Sequence, residues 1–122
     1  MMGFLLVCLG ASAGAPARYL LDRAIQTRHT ALTPWGTLAV NLSGSLLLGL
    51  LVGIGPTGGG ERLLLLLGTG FCGTFTTYST FSFETVRLIE DRAFWPAFGN
   101  LAVTLFGGLG AAMVGFALAA PW

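Results

Sequence analysis

Residues Gly70–Glu84, GFCGTFTTYSTFSFE, decide how this chain folds. They follow the leucine run Leu63–Leu67 and Gly68 with no charge before Glu84, so they belong to a lipid-embedded segment. Yet six Ser and Thr hydroxyls (Thr74, Thr76, Thr77, Ser79, Thr80, Ser82) stand there among Phe and Tyr rings. The apolar stretch containing them, Leu63–Ile89, has 27 residues. As a straight helix it would extend about 40 Å, against a hydrocarbon core of about 30 Å. Tilt absorbs part of such an excess, but Gly70 and Gly73 followed by TFTTYST invite a break. In lipid, a break survives only where its freed backbone groups meet protein, water or an ion, and a discontinuous helix is a recurrent device for binding ions.

The rest of the chain fits this environment. Of 122 residues, 54% are hydrophobic and 9% charged, and mean hydropathy is +0.80. That combination marks an integral membrane protein. Beside the third stretch, three more match the roughly 20 residues a crossing requires: about 2–21, 35–54 and 94–119. The fourth carries Trp95 and Trp122 as interfacial anchors. The opening MMGFLLVCLG lacks a basic leader region and runs on into apolar sequence, so it reads as a retained first span. Short polar connectors join the spans, GGG at Gly58–Gly60 reads as a flexible turn, and His29 falls in a solvated connector. The expected architecture is all-α, a single four-helix transmembrane domain over residues 1–122 with its third helix broken in mid-membrane.

No acid, Lys or His lies at the centre of any span, so a proton-coupled carrier has no obvious proton site. There is no Ser-His-Asp set, no metal-ligand cluster and no phosphate loop, so an enzyme is not expected; nor does any basic cluster suit nucleic acid. Cys8 and Cys72 sit in apolar runs as small hydrophobes. What remains is neutral polarity: Asn41, Ser43 and Ser45 on the second stretch, the hydroxyls of the third, and Asn100 and Thr104 four residues apart on the fourth. Each alone is explained by hydrogen bonding between packed helices, and the glycines of NLSGSLLLG and FGGLG by close helix approach. Together they offer a charge-free track for a small ion. Burying a bare anion costs tens of kcal/mol while one hydroxyl returns about 1 or 2, so donors must be nearly continuous and supplemented by water.

GFCGTFTTYSTFSFE, together with GASAGAPARYLL in the first span and GTLAVNLSGSLLLG in the second, resembles the small four-span fluoride channels of the Fluc/CrcB family over essentially the whole chain. The resemblance implies an antiparallel dimer in the plasma or inner membrane of a prokaryote, with two fluoride pathways and a central structural sodium ion. Carried over by position, Gly73 and Thr76 would present backbone carbonyls to sodium. Asn41 would aim an amide N–H into the fluoride pathway, with Thr37 one turn before it. Tyr78 and Phe81 match the family's paired phenylalanines, Thr104 a fourth-span hydroxyl, and Arg18 the arginine that ends the first span. Two positions depart from the pattern: Tyr78 stands where Phe is usual, and Gly108 follows Thr104 by one turn where some members carry Ser.

Arginine distribution bears on the partner. Five of the six arginines (Arg18, Arg23, Arg28, Arg87, Arg92) fall on the side of the first and third connectors and one, Arg62, on the other. A chain inserting both ways should be balanced; even without Arg18 the bias favours both termini outside. Arginines near helix ends snorkel and count for less, so two partners stay open: a second copy of the chain, or an oppositely oriented paralogue. Competing functions are a small multidrug-type proton-coupled exporter, which needs a membrane-embedded Glu in its first span, and a non-transporting membrane subunit.

Overall fold

The computed structural model describes residues 1–28, 34–55 and 60–120, which leaves His29, Gly58, Gly59 and Trp122 outside the described residues. The described residues are helical, with no strand among them. Helix α1 is Met2–Gln26 and α2 is Trp35–Ile54. The third apolar stretch forms two helices: α3, residues 60–75, and α4, Ser79–Glu90, with Thr76–Tyr78 between them outside any helix. Helix α5 is Phe94–Ala119. Helices α1, α2 and α5 are each long and apolar enough to cross a membrane; the third segment falls short of that length only because it is interrupted.

Helices α3 and α5 wind unevenly. Leu64–Cys72 within α3 and Val103–Gly107 within α5 take up wider, π-type turns. Such turns shift the phase of side chains that follow, and they recur near functional sites.

Helix α2 runs through the middle and is the most buried of the three long helices. It packs on the C-terminal half of α5, and α1 packs on α3. Glycine permits both crossings. A Cβ on Gly10 would lie 2.8 Å from the Phe71 amide nitrogen, and one on Gly70 would lie 2.6 Å from the Val7 carbonyl oxygen. Likewise a Cβ on Gly49 would lie 2.9 Å from the Ala112 Cα, and one on Gly115 2.8 Å from the Leu50 amide nitrogen. These are backbone atoms that cannot step aside, so the close approach expected for NLSGSLLLG is real at Gly49. In FGGLG the contact is weaker, since Gly110 faces open space; Gly115, seven residues beyond Gly108, closes that crossing instead.

Helix α4 turns into α5 within three residues. The Ala93 N–H donates to the Leu88 carbonyl at 2.8 Å and the Arg92 N–H to that of Ile89 at 3.0 Å, while Arg92 adopts φ 60°. That is the left-handed helix stop normally given to glycine. Outward, α1 and α5 expose Phe4, Leu9, Phe98, Phe106 and Leu118, and Trp95 is 84% exposed at the start of α5. Water would not tolerate such a surface, whereas lipid is its natural solvent.

Candidate functional site

The site forms where α3 ends. Thr76 takes an extended ψ of 157°, which turns the chain out of the helix after its last regular bond, from the Thr76 N–H to the Cys72 carbonyl at 2.9 Å. The freed backbone is taken up by α2: the Asn41 Nδ2–H donates to the Thr77 carbonyl at 3.0 Å, and the Thr77 N–H donates to Asn41 Oδ1 at 2.8 Å. One amide thus satisfies both backbone groups of a single residue, and this pairing fixes which end of the Asn41 amide is which. Its second Nδ2–H is left for another acceptor. On the far side of the break, the Thr77 hydroxyl accepts from the Thr80 N–H at 3.2 Å, capping the first turn of α4.

Around this staple lies a cleft of about 350 Å³ lined by Asn41, Ser45, Gly73, Thr76, Tyr78, Phe81 and Thr104 among others. No charged side chain lines it. Phe81 is a buried wall at 6% exposure, whereas Tyr78 is 80% exposed, with their ring centroids 6.1 Å apart and tilted by 55°. The Thr104 hydroxyl oxygen is buried in the cleft wall without a hydrogen-bond partner. A buried hydroxyl of this kind costs free energy unless something fills the cleft beside it. The cleft is also open on the side of Gly73 and Tyr78, both exposed.

The remaining residues singled out from the sequence lie next door. Thr37 is buried at 4% exposure and donates its hydroxyl to Glu84 Oε1 at 2.6 Å, so it does not share the cleft with Asn41. It lines a smaller cavity of about 120 Å³ with Arg18, Asp22, Thr77 and Thr80. Thr77 therefore walls both spaces. A polar recess of about 400 Å³ follows, walled by Asp22, Glu84, Arg87 and Asp91 among others. Asp22 is common to the second and third spaces, so cleft, cavity and recess form a stepped series toward one end of the helices.

Asn100 and Thr104 part company. Asn100, 3% exposed, donates its amide to the Thr85 hydroxyl at 2.9 Å, which in turn donates to the Phe81 carbonyl at 2.8 Å, while Thr104 faces the cleft. Sequence reasoning left Thr77 and Glu84 without a role. Thr77 had no signal of its own among six hydroxyls; Glu84 had one, as the lone acid of the third stretch, spaced three residues beyond Phe81.

Four apolar helical segments with a neutral polar cleft at a helix break define a multi-pass membrane protein. Residues 5–116 match the family model described as CrcB-like protein, Camphor Resistance (CrcB). A protein of Frankia casuarinae named "Fluoride-specific ion channel FluC 1" is 52% identical over 99% of both chains. One of Streptomyces avermitilis with the same name is 53% identical over 93% of both. A protein of Mycobacterium tuberculosis named "Fluoride-specific ion channel FluC 2" is 42% identical over 89% of this chain and 84% of its own. The chain belongs to the CrcB family.

Proposed function

We propose that the chain is a fluoride-selective channel that passively exports cytoplasmic fluoride and so protects the cell from it. Its relatives carry that channel name over nearly the whole length, and the observation that carries the reading here is the uncharged cleft, with a spare Asn41 N–H, an unpartnered Thr104 hydroxyl and the Phe81 ring converging on one space. Donors without a fixed countercharge bind a small anion weakly enough to release it. Ring edges, the positive part of the aromatic quadrupole, add to them. Tyr78 gives the first aromatic station a hydroxyl that a phenylalanine lacks. Hydrogen fluoride enters neutral and dissociates inside, and a negative-inside potential of 100 mV then drives the anion outward with about 2.3 kcal/mol.

The channel works as an antiparallel dimer, with a second copy of this chain or an oppositely oriented paralogue. A polar cleft open at Tyr78 and Gly73 is untenable against hydrocarbon, and a second chain seated there closes it. A structural sodium ion sits at the breaks of the two chains, held by the carbonyls of Gly73 and Thr76. Carbonyl oxygens suit a hard cation, and a bound one biases the interior toward anions. Arg18, Thr37 and the recess beyond them form the approach to the narrow part.

Purified protein in liposomes is expected to pass fluoride and exclude chloride, and equal chloride flux would overturn the reading. A reporter fused to the C-terminus separates the two partners: reporters on both sides of the membrane support the homodimer, and one exclusive orientation supports the paralogue.

A further inference from the structure

We infer that Asn41 and the Thr77 hydroxyl are the positioning residues of the cation site, because they remove the two helical donors that would otherwise occupy its carbonyls. In an uninterrupted helix the Gly73 carbonyl accepts from the N–H of Thr77, and the Thr76 carbonyl from that of Thr80. Here the Thr77 N–H goes to Asn41 Oδ1 at 2.8 Å and the Thr80 N–H to Thr77 Oγ1 at 3.2 Å. The carbonyls that lose these donors are those of Gly73 and Thr76, the pair proposed above for sodium, and both residues line the open cleft. Within a membrane a backbone carbonyl must have a partner; diverting its own leaves the place for an ion. The Thr77 carbonyl is withdrawn from the set by the Asn41 amide at 3.0 Å, and the Tyr78 carbonyl by the Ser82 N–H at 2.9 Å, which leaves those of Gly73 and Thr76 for the cation. One side chain on α2 thereby serves both ions, offering its spare N–H to the anion and freeing the Gly73 carbonyl for the cation.

This rests on the channel reading with its structural cation, and the test separates the two. Full-length protein is purified in detergent, and thermal unfolding is followed as sodium chloride replaces N-methylglucamine chloride at constant ionic strength. Wild-type protein is expected to gain stability with a defined sodium midpoint; its absence would overturn the cation site and this inference with it, leaving fluoride flux to judge the channel separately. Thr77→Val frees the Thr80 N–H to rejoin the Thr76 carbonyl and is expected to raise the midpoint about tenfold, the scale of one hydrogen bond. Thr77→Ser, which keeps the hydroxyl, is expected to restore it. A purely structural role for Thr77 would lower the unfolding temperature equally at every sodium concentration and leave the midpoint in place, which overturns the inference while sparing the site. Should Thr77→Val fail to fold, Asn41→Leu makes the same test on the Gly73 carbonyl, and an unmoved midpoint there is equally fatal.

Discussion

Glycine does opposite things at two places on α3. At the crossing with α1, Gly70 meets Gly10 with Cα and incoming Cβ only 3.0 Å apart, and the two backbones close on each other. One turn further, among the described residues Gly73 has no atom beyond its own stretch of helix within 4 Å of where its Cβ would be, and the chain opens into the cleft. The same residue type, three positions apart, serves contact in one case and vacancy in the other. The difference comes from what faces each: α1 supplies a bare backbone to Gly70, while no helix among the described residues covers Gly73.

The contrast can be broken most sharply at the closed end. Gly10→Ala places a methyl against the backbone of α3 and should cost about 1–3 kcal/mol, seen as a lower unfolding temperature in detergent; an unchanged temperature would mean that the crossing is looser than its geometry. Phe81→Ile probes the wall of the cleft. With its carbonyl still held by Thr85, the helix should stay folded while fluoride flux falls about tenfold, roughly 1.4 kcal/mol in barrier; wild-type flux would take the ring out of the pathway. The smallest effect is expected at the open end. Gly73 has helical angles, φ −62° and ψ −32°, so Gly73→Ala should shift the fold's stability by no more than about 1 kcal/mol, in the favourable direction. A loss as large as that of Gly10→Ala would place against Gly73 a neighbour that this chain does not supply, as a second copy would.

Much of this was legible in the residues. Apolar runs of crossing length gave helices because a backbone in lipid has no other partner for its polar groups. The surplus length and hydroxyls of the third stretch pointed to its interruption, which falls at Thr76–Tyr78, inside the TFTTYST that follows Gly70 and Gly73. Neither glycine is itself the hinge, since both keep helical geometry within α3; the chain departs where Asn41 offers an alternative to the next helical bond. Periodicity could put Asn100 and Thr104 on one face but not say that Thr85 would claim the first and leave the second unpartnered. In the same way, Thr37 and Asn41 are one turn apart, yet Glu84 draws Thr37 into the neighbouring cavity.

Sequence alone determined the solvent, the helices, the family and the cleft's chemical character, since those depend on composition, length and local pattern. Tertiary structure alone decided which hydroxyl caps, which amide staples and which carbonyls are left without a helical donor. Those outcomes are competitions between hydrogen-bond partners on different helices, such as α2 against α3 for the Thr77 N–H, and one chain segment read by itself carries no trace of its rival.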